Sequence, residues 1–271
     1  MTIPFVVTQA KFVQLVSRTV LVVTMSLGFQ IWSSDGNSLL FTLDPETINS
    51  SGMHDGFPVC RGIASVGDYI YVGDSNGGIV CLQLKGQEFE VLSTTTTFSG
   101  TGKPVGIMCM NASDNLFSVG NEIGELFCYE LSSSSPTPTT SFFEFQQTGF
   151  AITSICCRGD AVITAFSSGH IRIFRVTPDR VSQGSGLVVE ISAHSRCINA
   201  LALHPTKYSF ASCGEDGRLL IWELDSSDFK INLVHSELIS HKLLTGVIFL
   251  QDCKLALSAY EEEIVGIYEA K

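Results

Sequence analysis

Charge is scarce in this chain: only 16% of its 271 residues are charged, against 45% that are hydrophobic. So little charge leaves few polar faces for long amphipathic helices and suits strands that are buried on both sides. Basic residues are the scarcer sign, 16 Lys and Arg against 27 Asp and Glu, for a net charge of −11. They form no run. A surface of that sign repels phosphate backbones and anionic lipid headgroups, so neither nucleic acid nor a membrane surface is an expected partner. No apolar stretch is long enough to span a bilayer; the longest lies around Thr19–Met25. The opening residues, MTIPFVVTQ, have no basic n-region and no small-residue cleavage site, so they are not expected to act as a secretory signal. The nine cysteines are odd in number and include no Cys-x-x-Cys pair. They are expected as free thiols that fill core positions, and they place the chain in a reducing compartment, the cytoplasm.

What is present is repetition. The segment CGEDGRLLIWEL (Cys213–Leu224) combines a tight turn with a strand that carries an aromatic residue near its end. The same x-Gly-x-apolar-x-apolar-aromatic pattern recurs, with Leu in the aromatic slot once and a turn glycine missing once. Its slot residues are Trp32, Leu82, Tyr129, Phe174, Trp222 and Tyr268, separated by 50, 47, 45, 48 and 46 residues. That spacing lies slightly above the period of about 40–45 residues for four-stranded propeller blades.

Each copy reads alike. A short apolar strand (Ala151–Cys156, Cys197–Leu203) precedes a second one (Asp68–Val72, Ala161–Phe166), then come the turn and the aromatic-slot strand. A fourth strand follows a polar loop, as at Phe89–Leu92, Phe142–Phe145, Leu187–Ile191 and Ile231–Val234. No helical period competes with this pattern. The expected fold is all-β: one propeller domain over residues 1–271 with six four-stranded repeats at about 8–46, 57–98, 103–147, 150–192, 196–238 and 242–271. The sixth runs out of chain before a fourth strand, so residues 2–7 are expected to supply it and close the ring; the alternatives are an open or distorted ring and an absent N-terminal blade. The Ser/Thr-rich stretches Ser93–Thr97 and Ser132–Thr140, and the polar segment Thr177–Gly186, read as surface loops, open to phosphorylation as docking elements.

The fifth copy, AHSRCINALALHPTKYSFASCGEDGRLLIWEL (Ala193–Leu224), resembles a WD repeat. The resemblance implies a hydrogen-bonded tetrad of His194, Ser212, Asp216 and Trp222 that braces the blade. Glu223 stands where that family often has Asp. The other copies lack the complete set. A Ser-His-Asp set invites comparison with a hydrolase, but Ser212 falls mid-strand beneath a tryptophan, with no nucleophile elbow. On the segments CRGIASVGDYIYVGDSNGGIVCL (Cys60–Leu82), ISAHSRCINAL and LLIWEL, the chain is similar to the WD repeat-containing protein 54 family. That resemblance implies a cytosolic propeller of usually seven blades, without a cofactor, acting in signalling. A first blade absent from this chain would reconcile seven blades with six.

The function expected is a non-catalytic scaffold that binds other proteins or peptides. Candidate contact residues before the inner strands are Arg61, Lys103, Arg196 and Lys242; those on the tight-turn side are Asp74, Asn76, Glu122, His170, Glu215 and Glu261 to Glu263. The alternatives are a constitutive subunit of a larger assembly and a metal-dependent propeller hydrolase. The hydrolase would need ligands along the inner strands, which carry Cys, Ile, Ala, Leu, Val and Met instead. Its nearest ligand pair, Cys156 and Cys157, is adjacent on a strand and so points to opposite faces. No catalytic residue, metal or cofactor is assigned.

Overall fold

The structure, a computed structural model, describes residues 6–43, 59–97, 102–113, 116–131, 136–146, 148–177, 186–225, 227–239, 242–250, 254–263 and 265–269. Two compact units divide the chain, Met1–Glu122 with Phe127–Phe142, and Ile123–Leu126 with Phe143–Lys271. Among the described residues all regular structure is β. Sheet one is β1 (Val7–Gln14), β2 (Thr19–Met25), β3 (Gly28–Ser33) and β4 (Leu39–Leu43). Sheet two is β5 (Cys60–Val66), β6 (Tyr69–Asp74), β7 (Gly78–Lys85) and β8 (Glu88–Thr96). Sheet three follows as β9 (Ile107–Ser113), β10 (Leu116–Asn121), β11 (Leu126–Glu130) and β12 (Ser141–Phe145). Sheet four is β13 (Ile152–Arg158), β14 (Ala161–Phe166), β15 (His170–Arg175) and β16 (Gly186–Ser192). Sheet five is β17 (Ile198–Leu203), β18 (Ser209–Gly214), β19 (Arg218–Leu224) and β20 (Ile231–Leu238). Sheet six has three strands among the described residues, β21 (Leu244–Phe249), β22 (Leu255–Ala259) and β23 (Gly266–Tyr268). In every sheet sequence neighbours pair, so each is a meander.

Local chemistry sets these elements. The turn into the third strand needs a residue in the left-handed region, and Gly28, Gly77, Gly124, Gly169 and Gly217 take it with φ between 73° and 92°. Sheet six has no glycine there, and Glu261 adopts φ 57° instead. The second strands β10, β14 and β18 are buried at every residue. That explains why continuous apolar runs, rather than strict alternation, mark them in the sequence.

Within the first unit, one core joins sheets one and two through Val20, Val22, Ile31, Ile63, Val72 and Leu82. Another joins sheets two and three through Tyr71, Cys81, Phe117 and Tyr129. In the second unit, Ile163, Ile173, Phe210 and Trp222 join sheets four and five, and Ala211, Ile221, Leu255 and Leu257 join sheets five and six. Polar contacts between first strands repeat as well. Thr8 Oγ1 donates to the Cys60 carbonyl (2.5 Å), Thr153 Oγ1 to the Ile198 carbonyl (2.5 Å) and Asn199 Nδ2 to the Leu244 carbonyl (2.7 Å).

Two expectations need correction. Ser93–Thr97 is no loop: Ser93 to Thr96 complete β8, and Thr97 is buried with its hydroxyl donating to the Gly77 carbonyl. A run of threonines has high strand propensity, which outweighs its polarity. Of the closing strand expected at residues 2–7, residues 2–5 lie outside the described residues. Val7 opens β1, and Val6 exchanges hydrogen bonds with Ser26, so both belong to sheet one. Of the Ser/Thr-rich stretch 132–140, residues 132–135 lie outside the description. Pro136 and Thr137 are docked on sheet two, where the Tyr71 hydroxyl donates to the Pro136 carbonyl (2.7 Å) and the Ser93 and Thr137 hydroxyls pair (3.0 Å). Of Thr177–Gly186, residues 178–185 lie outside as well.

Candidate functional site

The expected tetrad assembles in sheet five. Trp222 on β19 donates its indole N–H to Ser212 Oγ on β18 (3.0 Å). His194 Nε2 lies 2.8 Å from the same oxygen, and His194 Nδ1 lies 2.9 Å from Asp216 Oδ1. An indole can only donate, so the Ser212 oxygen accepts from it and its own O–H goes to Nε2. Nδ1 therefore carries the imidazole proton and gives it to the carboxylate. Asp216 also accepts from the main-chain amides of Ser195 (3.1 Å) and Arg218 (3.2 Å). Ser212 is fully buried and both of its hydrogen-bonding roles are taken, so no substrate can reach it. The set braces the turn and the incoming segment and is not a nucleophile.

The charges agree with that proton assignment. Burial holds the His194 imidazole below its usual range and outweighs the pull of Asp216 toward the charged form. For Asp216, burial alone would raise its pKa, but hydrogen bonds from His194 and the two amides hold it low. In the unfolded chain a histidine takes up its proton near pH 6.5. Below that pH the unfolded state binds a proton that folded His194 does not, so the stability due to the neutral histidine falls as the pH drops. Asp216 adds a second loss at still lower pH, below the usual carboxylate value. A His194→Gln variant should therefore lose its disadvantage to wild type between pH 7.5 and pH 5.5, read from urea midpoints. Parallel curves for the two proteins would contradict this.

The other sheets fill the aromatic slot without the tetrad. In sheet four Phe174 packs on Phe143 and Phe145, and the Thr164 hydroxyl donates to the Arg172 carbonyl. Sequence reasoning missed the companion of this arrangement. The Arg172 guanidinium lies 4.3 Å from the centre of the Phe166 ring and 2.5 Å from a Glu190 oxygen, with only 12% of its side chain exposed. An arginine inside an otherwise apolar strand was the available signal. In sheet one the Trp32 indole donates to Gln30 Oε1 on its own strand, 3.0 Å away.

Within each sheet, the candidate contact residues before the first strand and those of the tight turn share one end. In sheet five, Ile198 pairs with Gly214 and Arg218 with Leu238. The start of the first strand, the second-to-third turn and the end of the fourth strand therefore share one end of the sheet. Cys60 pairs with Asp74 and Gly78 with Thr96 in sheet two, and Leu244 pairs with Ala259 in sheet six. So Arg61, Arg196 and Lys242 lie at the same end of their sheets as the tight-turn residues, and Lys103 precedes the matching end of β9. All four cations are exposed. Arg61 reaches Met108 Sδ at 3.4 Å, and Lys242 pairs with Glu262.

Asp74 leaves the contact set. It is buried, and its Oδ1 accepts from the amides of Asn76 (2.7 Å) and Gly78 (2.8 Å), so it is a turn brace. Glu122 lies beside the Gly106 amide, His170 bonds to Ser168, and Glu215 is half-buried. Among the described residues no group of three His, Cys, Asp or Glu side chains could hold a metal ion. None of the eight cysteines described forms a disulfide; seven are buried and Cys197 is half-buried. Burial pushes the thiols of Cys60, Cys128 and Cys213 up to about 12, and that of Cys81 to about 11.

The WDR54 family model matches residues 2–267. The chain belongs to the WDR54 family. Rattus norvegicus WD repeat domain 54 is 25% identical over 255 residues, covering 91% of this chain and 72% of the rat protein. The Homo sapiens WD repeat-containing protein 54 is 23% identical with the same coverage. Among solved structures, a chain of the Mitotic Checkpoint Complex superposes with a TM-score of 0.75 at 14% identity, covering 98% of this chain and 75% of that one. The Cps50 (Swd1) β-propeller domain of Myceliophteria thermophila gives 0.70 at 11% identity, with 98% and 86% covered. The fold of this WDR54-family chain is therefore the WD-repeat β-propeller, a family generally non-catalytic. Among the described residues no helix is long and apolar enough to cross a membrane.

Proposed function

We propose that this WDR54-family chain is a non-catalytic cytoplasmic scaffold for protein partners, acting in signalling or complex assembly. It engages them through the sheet ends that carry Arg61, Lys103, Arg196 and Lys242. One observation carries the reading. At the tight-turn end of individual sheets exposed cations stand with acidic turn residues, as Lys242 does with Glu262, while the turns are held by main-chain and carboxylate hydrogen bonds, as at Asp74 and Asp216. Fixed turns present charge with little entropy to lose on binding, and mixed signs favour peptides of mixed charge. Neither nucleic acid nor lipid suits the net charge of −11.

Charge reversal separates this end from the other. Arg196→Glu with Lys103→Glu should remove a set of co-purifying proteins by more than tenfold in quantitative mass spectrometry. Lys85→Glu with Lys207→Glu, at the opposite sheet ends, should leave that set unchanged. Identical partners from both double variants would refute the assignment.

A further inference from the structure

The connection between β11 and β12 folds back onto sheet two. Sheet two joins its own third and fourth strands with two residues, Gly86 and Gln87, whereas sheet three uses residues 131–140 for the same step. Residues 136–140 of this connection are described, and they read PTPTT. Ala64, Tyr71, Cys81 and Ser93 form a row across sheet two in cross-strand register. The Tyr71 hydroxyl donates to the Pro136 carbonyl (2.7 Å), and the Ser93 and Thr137 hydroxyls pair (3.0 Å). The Cys81 thiol lies beside the hydroxyls of both Tyr71 and Ser93. Tyr71 and Cys81 are 0% exposed, and Pro138 is buried. All of these residues belong to the first unit.

This strap is held differently from a strand. Pro136 and Pro138 have no N–H, so neither can donate to a sheet ladder. The contacts that fix the strap to sheet two are one hydroxyl on a carbonyl and one hydroxyl pair. A segment held by so few bonds opens at lower free energy than the strands beneath it. Thr137 itself is half-buried, and Thr139 and Thr140 on its C-terminal side are exposed. Pro138 follows Thr137 directly, the residue order that proline-directed protein kinases accept. Those kinases take their acceptor in an extended segment, and lifting the strap supplies one.

We propose that Thr137 is a phosphorylation site and that its phosphorylation releases the strap from sheet two. Thr137 Oγ1 attacks the γ-phosphorus of Mg-ATP. The new O–P bond forms as the bond to the β–γ bridging oxygen breaks, ADP leaves, and the hydroxyl proton passes to the catalytic aspartate of the kinase. A group of about −1.5 to −2 charge then replaces a neutral hydroxyl. In the docked position that charge would stand against the row Ala64, Tyr71, Cys81 and Ser93, which contains no cation, over a core built with Phe117 and Tyr129. Ser93 can donate one hydrogen bond to it, and it already makes one contact with the unmodified hydroxyl. Water hydrates the phosphate fully once the strap lifts, so the modified strap favours the released position. This inference does not depend on the proposed sheet-end contacts.

The chain has Ser/Thr-Pro pairs at 135–136, 137–138 and 177–178. A Ser135→Ala, Thr177→Ala double variant leaves Thr137 as the acceptor of this kind, so it is the protein to treat with Mg-ATP and, separately, a cyclin-dependent kinase and a mitogen-activated protein kinase. Tandem mass spectrometry should place phosphate on Thr137 with at least one of them, and adding Thr137→Val should abolish it. Hydroxyl-radical footprinting before and after phosphorylation then reads the strap. Oxidation of Tyr71 should rise at least threefold and fall back after phosphatase treatment. Phe210, also 0% exposed but in the second unit, should stay unchanged. Thr137 left unmodified by both kinases overturns the site. Tyr71 oxidation that does not change, or that rises together with Phe210, overturns the release.

Discussion

Replacing Trp222 with alanine should destabilise the protein by about 3–5 kcal/mol, the range for removing a large buried aromatic. Three losses act together. The indole is 7% exposed and stacks on Phe210 with ring centroids 6.2 Å apart, so its removal opens a cavity in the core between sheets four and five. The Ser212 oxygen then loses its donor while remaining fully buried. His194, whose orientation depends on that serine, loses part of its hold on Asp216. Trp222→Phe separates these terms. It keeps most of the volume and the stacking but removes the N–H, and should cost only about 1–2 kcal/mol. Urea unfolding of the two variants, with m-values checked for constancy, measures the difference. Equal losses would mean that the hydrogen bond, not the packing, dominates.

Gly169→Ala should be nearly as damaging, although it adds a single methyl group. Gly169 sits at φ 82°, and a Cβ there would lie 2.2 Å from the His194 carbonyl oxygen and 2.9 Å from that of Arg196. The Gly169 carbonyl in turn accepts from the amides of Ala193 and His194, both at 3.0 Å. The turn of sheet four thus grips the segment that positions the tetrad histidine. The left-handed conformation alone costs a non-glycine residue about 1–2 kcal/mol. Displacing main chain adds to that, for a total of at least about 3 kcal/mol. Gly159 is the control, also left-handed at φ 59° but with nothing within 4 Å of its would-be Cβ. Gly159→Ala should lose only the conformational part. Thermal unfolding of both variants decides, and equal shifts would remove the steric argument.

The legible parts of the fold were those that local chemistry writes into consecutive residues. A turn needing positive φ selects glycine, so Gly77, Gly124, Gly169 and Gly217 mark their hairpins directly. The tetrad was readable through the resemblance of Ala193–Leu224 to a WD repeat, which implies His194, Ser212, Asp216 and Trp222 as its members. Strand burial on both faces appears as apolar runs such as Ala161–Phe166. What stayed hidden depends on partners far along the chain. Nothing near Thr153 or Asn199 announces that their side chains reach carbonyls some 45 residues on, at Ile198 and Leu244. Tyr71 meets Pro136 across 65 residues, and Arg172 meets Phe166 and Glu190 only once the strands pair. Asp74 looked like an exposed turn carboxylate because its sequence neighbours are polar. The tight turn folds it inward instead, and Gly78 leaves the room it needs: a Cβ there would come within 2.3 Å of Asp74 Oδ2. The sidedness of the contact residues was equally invisible, since antiparallel register alone brings the first-strand start beside the second-strand end.

The buried thiols have a use beyond filling space. With its pKa pushed up to about 12, Cys128 exists as the reactive thiolate at about one part in 10⁵ at neutral pH. Reaction with a thiol reagent must therefore wait for the surrounding strands to part. Sheets two, three, four and five each carry at least one buried thiol, at Cys60 and Cys81, Cys109 and Cys128, Cys156 and Cys157, and Cys213. The chain thus contains its own clock for the opening of each of these sheets, readable one cysteine at a time without placing a foreign label in the core.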